Sequence, residues 1–150
     1  VDESVDGITE ALLTASRLLV AISARSIAQV DESITIPQFR ALVILSTRGS
    51  SNLAALATHL DVQPSTIGRM IDRLVAAGLV DREPHPHSRR ELVVSVSTRG
   101  RAVVDAVTRR RRQQIADVVA AMPARERRDL VTALNAFSKA GGELPSPADF

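Results

Sequence analysis

The 150-residue chain has no cysteine, no tryptophan and no tyrosine, and Lys139 is the single lysine among its nineteen basic residues. Without cysteine there can be no disulfide, thiolate metal site, cysteine nucleophile or thiol redox switch. Aromatics make up 2 % of the residues, so a core must be built from Leu, Val, Ile and Ala. Aromatic platforms for stacking single-stranded bases are lacking as well. No uninterrupted apolar run approaches the roughly 20 residues of a membrane-spanning helix, and the opening VDESVDG is acidic where a secretory leader would be basic. A soluble, cytoplasmic chain with no membrane attachment is the resulting expectation. Three histidines and no clustered carboxylates give no convincing catalytic set. His85 and His87 are metal-ligand types without visible companions, whereas structural zinc takes four ligands. An enzyme, a metal site and a cofactor are therefore not expected.

What the chain does have is apolar content of 45 %, enough for one domain or one core carrying extra helices. Its net charge of +2 conceals a division along the sequence: residues 1–39 carry −4, residues 40–112 carry +7 and the remainder −1. A basic middle segment is what attraction to a phosphate backbone requires. The near-exclusive use of arginine suits bidentate phosphate and base contacts, and a GC-rich genome would produce it equally.

In chain order, Ile8, Leu12, Ala15, Leu19, Ile22 and Ile27 recur at helical spacing through Val30. Asp31 to Ile36 interrupts the pattern, and Pro37 opens a second helix with Phe39, Leu42, Val43 and Leu45 as its apolar positions. Arg48 to Asn52 ends that helix and supplies cap candidates for the next. Residues 53–82, LAALATHLDVQPSTIGRMIDRLVAAGLVDR, then read as two short helices joined by a tight turn and followed by a strand, the outline of a helix-turn-helix. The first helix would bury Leu53, Leu56, Ala57 and Leu60. Asp61, Val62 and Gln63 form the turn, and Pro64 suits the first position of the second helix, where a missing N–H costs nothing. Ile67, Ile71, Leu74 and Val75 face inward, and Gly78 followed by Leu79 makes a left-handed stop. The opposite face carries Ser65, Thr66, Arg69 and Arg73. Arginine there can bond O6 and N7 of guanine together. Amphipathic helices with exposed Ser, Thr and Arg are common, so this helix alone does not define a DNA reader.

After Gly78 the period changes to alternation: LVDREP is a strand, HPHSRR a polar turn, and Leu92, Val93, Val94 and Val96 a second strand. A hairpin directly after a recognition helix is a wing, with Ser88, Arg89 and Arg90 at its tip, where an arginine can enter the minor groove. Ser97 or Thr98 caps a long helix with Val103, Val104, Val107, Ile115, Val118 and Val119 apolar. The run Arg109 to Arg112 inside it points around more than one face and reads as solvated surface. Pro123 ends that helix, a last one follows with Leu130, Val131, Leu134 and Phe137 inward, and GGELPSPADF is a fraying tail.

Residues 36–101 resemble the MarR family of winged-helix transcriptional regulators, through NLAALATHLDVQPSTIGRMIDRLVAAGLVDRE, the wing arginines Arg89 and Arg90, and the strand-to-helix junction ending at Gly100. The long first helix and the two C-terminal helices match that family's dimerisation region. The resemblance implies a mainly α fold, a winged helix-turn-helix with long N- and C-terminal dimerisation helices. Residues 1–36 and 113–150 would pair the chains, and residues 37–112 would bind DNA. The implied partners are a near-palindromic double-stranded operator, a second copy of the chain, and a small aromatic or anionic effector that releases a repressor. The candidate DNA-contacting residues are Gln63, Pro64, Ser65, Thr66, Gly68, Arg69 and Arg73, with Ser88, Arg89 and Arg90 from the wing. Family members usually carry an aspartate two residues before the wing arginine matched by Arg90, and often another at the start of the turn. Here Ser88 and His85 stand at those places, which implies a looser or more positive wing. A winged-helix protein-interaction module without DNA binding is the alternative, and its signature would be salt-insensitive association.

Overall fold

The computed structural model describes residues 4–143, with the side chains of Arg89 and Arg90 outside the described set. The elements in order are α1 (Val5–Ala28), α2 (Ile36–Arg48), β1 (Ser51–Asn52), α3 (Leu53–Leu60), α4 (Pro64–Ala76), β2 (Val80–His85), β3 (Ser88–Val96), α5 (Thr98–Ala120) and α6 (Ala124–Ala140). The chain forms two compact units, one of residues 23–107 and one of residues 1–22 with 108–150. Residues 144–150 of the expected tail lie outside the described residues.

In the unit of residues 23–107, local chemistry sets each boundary. Asp31 makes the break after α1: its Oδ1 accepts the Ser33 backbone N–H at 2.9 Å and the Ser33 hydroxyl at 2.6 Å, and these two bonds hold its carboxyl below the usual aspartate range. Helix α2 begins one residue before Pro37, because Thr35 closes a capping box with Gln38. The Thr35 Oγ1 accepts the Gln38 N–H at 3.2 Å, and the Thr35 N–H donates to Gln38 Oε1 at 3.0 Å. Asn52 caps α3 by accepting the Ala55 N–H at 2.7 Å. Helix α4 closes in a Schellman motif: Gly78 sits at φ +75°, its N–H donates to the Val75 carbonyl at 3.0 Å, and the Leu79 N–H donates to the Leu74 carbonyl at 2.9 Å.

The core of this unit draws on the end of α1, on α2, α3, α4, β2 and β3, and on the start of α5. Leu42, Leu56, Ile71, Val94 and Val107 are fully buried in it, each contributing about 1.5–3 kcal/mol of apolar burial. Leu56, Ala57 and Leu60 of α3 are buried as expected, while Leu53 is only half-buried. In α4, Ile67, Ile71 and Leu74 are buried and Val75 is half-buried.

Three features depart from the expectations. A third strand exists: β1 pairs antiparallel with β3, Ser51 with Val94 and Asn52 with Val93, giving the sheet order β1-β3-β2. The hairpin turn contracts to Pro86 and His87, and Ser88, Arg89 and Arg90 lie in β3 instead of at the tip. Pairing of His85 with Ser88 closes a two-residue loop. Because Pro84 pairs with Leu92, the residues between are absorbed as a bulge at Arg89 to Glu91.

The third departure is in the terminal unit. Val131, Leu134 and Phe137 of α6 are exposed and Leu130 is half-buried, and Ile8, Leu13, Leu18 and Leu19 of α1 are exposed too. The α6 residues were expected inward because helical periodicity identifies an apolar face without saying which chain covers it. By length and composition alone, helix α1 is apolar enough to cross a membrane, although no uninterrupted apolar run of that length occurs in it. Its charges, Asp6, Glu10, Arg17 and Arg25, are spaced widely enough to interrupt every run yet leave the average apolar.

Candidate nucleic-acid interface

The interface is built around α4. Gln63 is extended and its carbonyl accepts the N–H groups of Thr66 at 3.0 Å and Ile67 at 3.1 Å, while its side chain takes no part in capping. Pro64 fixes the first turn. With Ile67, Ile71 and Leu74 buried, the helix has one orientation available, and it leaves Gln63, Ser65, Thr66, Arg69 and Arg73 exposed. Thr66, Arg69 and Arg73 fall at three-and-four spacing on one face.

That face continues onto α2. Thr66, Arg69, Met70 and Arg73 line a shallow groove of about 410 Å³ with Thr35, Pro37 and Gln38. The sequence reading did not place Thr35 or Gln38 at the site. The T-x-x-Q spacing of a capping box was the available signal, and it would have shown only that a helix starts there.

Charge on α4 is one-sided. Asp72 is its single acidic residue, and the Arg82 guanidinium of β2 pairs with it. An exposed pair of this kind contributes only about 0–1 kcal/mol. Its larger effect is to remove the one negative charge from the helix and to tie the wing to it. Arg99 and Ser97 fix the exit from α4: Arg99 Nη1 donates to the Ala77 carbonyl at 3.0 Å, and the Ser97 hydroxyl to the Gly78 carbonyl at 2.7 Å.

Gly68 stands apart from the other glycines. It is half-buried in the middle of α4, and a Cβ added there would meet nothing within 4 Å. Its neighbours in the fold do not require glycine, although mid-helix glycine costs about 0.5–1 kcal/mol relative to alanine.

On the wing, Ser88 is half-buried. Arg89 and Arg90 are located by their backbone only, at the β3 bulge. The His85 and His87 rings lie 5.8 Å apart, and the His87 N–H donates to His85 Nδ1 at 3.0 Å. Among the described residues no group of three or more metal-ligating side chains occurs.

A helix-turn-helix whose second helix presents arginines, followed by an antiparallel hairpin, defines a winged helix-turn-helix. The MarR family model matches residues 34–92. The RV1404 protein of Mycobacterium tuberculosis has a crystal structure 66% identical in sequence to this chain, with a TM-score of 0.86, over 95% of this chain and 98% of that one. An HTH-type transcriptional regulator of Mycobacterium bovis is 36% identical over 94 residues, which span 63% of this chain and 66% of that relative, just under two thirds of its length. BpsR of Bordetella bronchiseptica, whose DNA binding is described as regulated by 6-hydroxynicotinic acid, is 26% identical with a TM-score of 0.67, over 88% of this chain and 98% of that one. The chain belongs to the MarR family, a family of transcriptional regulators and not of enzymes.

Proposed function

We propose that the chain is a cytoplasmic, homodimeric repressor that sets its two α4 helices into successive major grooves of a near-palindromic duplex, about 34–36 Å apart. The observation that carries this reading is the bare face of α4: packing exposes Ser65, Thr66, Arg69 and Arg73 while Arg82 neutralises Asp72. In this reading Gln63, Pro64, Ser65 and Thr66 meet the duplex at the start of the helix, and Arg69 and Arg73 supply base and phosphate contacts. Gly68 lets the backbone approach closely, which accounts for a glycine that the fold itself does not need. Ser88, Arg89 and Arg90 would reach the adjacent minor groove from the bulged edge of the wing.

Dimerisation is supported by the exposed apolar residues of α1 and α6, a surface that monomeric soluble proteins rarely leave open. A second copy covering α1 also accounts for its apolar length without a membrane. A dimer seated on an operator blocks that stretch of duplex, and regulation of BpsR by 6-hydroxynicotinic acid supports release by a small aromatic anion. The test is selection of bound fragments from random duplex DNA, followed by measurement of Arg69→Ala on the selected site, with and without a panel of aromatic acids. Enrichment of an inverted repeat that Arg69→Ala no longer prefers supports the reading. Failure to enrich any sequence overturns it.

A further inference from the structure

The wing is tied to the body of the DNA-binding unit by a bond that the sequence did not announce. Asn52 Nδ2 donates to Glu91 Oε1 at 2.7 Å across 39 residues of chain, and both side chains are half-buried. Asn52 is held from its other end, since its Oδ1 accepts the Ala55 N–H at 2.7 Å and its backbone pairs with Val93. Glu91 is the last residue of the β3 bulge, directly after Arg89 and Arg90.

A bulge loosens a strand where it occurs, because its extra residues lose their ladder partners. The two arginines proposed to meet DNA, Arg89 and Arg90, have their backbone in that loosened stretch. Ser88, at the start of β3, brings no charge to the wing. The Glu91 carboxylate is anchored to the cap of α3, the helix that leads into the α4 turn.

We propose that Asn52 and Glu91 are positioning residues: their hydrogen bond fixes the root of the bulge relative to the helix-turn-helix and so sets where the backbone of Arg89 and Arg90 lies during DNA binding. The inference rests on the proposed role of the wing. It gives Glu91, an acid beside two arginines of the wing, a reason to be there.

The test compares three variants of the full chain on one selected duplex. Glu91→Gln and Glu91→Ala remove the same charge, but glutamine Oε1 still accepts from Asn52 and alanine cannot. Glu91→Ala is expected to bind roughly three- to tenfold more weakly than Glu91→Gln, the range of one net hydrogen bond. Backbone amides of residues 88–92 should exchange faster in Glu91→Ala but not in Glu91→Gln. Asn52→Ser retains a capping hydroxyl for α3 but is too short to reach Glu91, so it should behave as Glu91→Ala does. Equal affinity and equal exchange in Glu91→Gln and Glu91→Ala would overturn the proposal. Arg90→Ala, measured in parallel, separates the two levels: if it leaves affinity unchanged, the wing reading itself fails, and the positioning role with it.

Discussion

Replacing Gly100 by alanine tests the packing that orients the wing. A Cβ at Gly100 would lie 2.1 Å from the Leu79 carbonyl oxygen and 2.9 Å from Val96 Cγ2, against an ordinary contact of 3.4 Å or more. The backbone would have to part by more than an ångström. Leu79 cannot give way cheaply: it is 1% exposed, its N–H donates to the Leu74 carbonyl at 2.9 Å and its carbonyl accepts the Ser97 N–H at 3.0 Å. Overpacking of about 1–3 kcal/mol plus one strained hydrogen bond of about 1 kcal/mol gives a loss of about 2–4 kcal/mol. Alanine's better helix propensity offsets at most about 1 kcal/mol of it. Urea unfolding followed by far-ultraviolet circular dichroism, at one fixed protein concentration because the proposed subunit association would add to stability, reads the effect. Gly68→Ala is the control: with nothing within 4 Å of its added Cβ, it should raise stability by about 0.5–1 kcal/mol and weaken DNA binding. A Gly100→Ala protein within 0.5 kcal/mol of the parent (about the spread of neutral surface changes) would refute the argument.

Three further outcomes follow from the same geometry. Arg69→Ala should cost about 1–3 kcal/mol of specific binding and relax sequence preference, whereas Arg90→Ala should weaken all duplexes alike and lower the salt slope by about one, both read by fluorescence anisotropy at several salt concentrations. Leu13→Glu or Phe137→Glu, each placing a charge on an exposed apolar position, should shift sedimentation from two chains to one, and an unchanged dimer would remove these helices from the interface. Ser33 lowers the Asp31 carboxyl through two hydrogen bonds, so the stability it adds is present above the ordinary aspartate value of 3.8 and is lost as pH falls through the lower folded value. Parent and Ser33→Ala should therefore differ in urea midpoint at pH 6 and converge near the acid limit, and a constant gap would contradict the assignment.

The unit of residues 23–107 was readable in the sequence because its signals are local. Pro64, Gly78 and the three-and-four spacing of Ile67, Ile71 and Leu74 each act within a few residues, and they placed α4 and its exposed face. What escaped the reading depends on partners distant in sequence. Strand β1 is two residues long, too short for any alternation, and forms only because Val93 and Val94 are brought beside Ser51 and Asn52. The bulge that draws Ser88 to Arg90 into β3 is set by the pairing of Pro84 with Leu92. The bond from Asn52 to Glu91 joins residues with no motif between them. The apolar stripes of α1 and α6 were visible as stripes, yet their destination is not encoded in the period. For the same reason Val131, Leu134 and Phe137, expected inward, are exposed within one chain.

The most direct measurement is the binding stoichiometry and salt dependence of the chain on a duplex selected from random sequence, with Arg69→Ala alongside. The account predicts two chains per inverted repeat, an affinity that falls steeply as salt rises, and loss of preference for the repeat in the variant. One chain per site, or an affinity indifferent to salt and to Arg69, would contradict it.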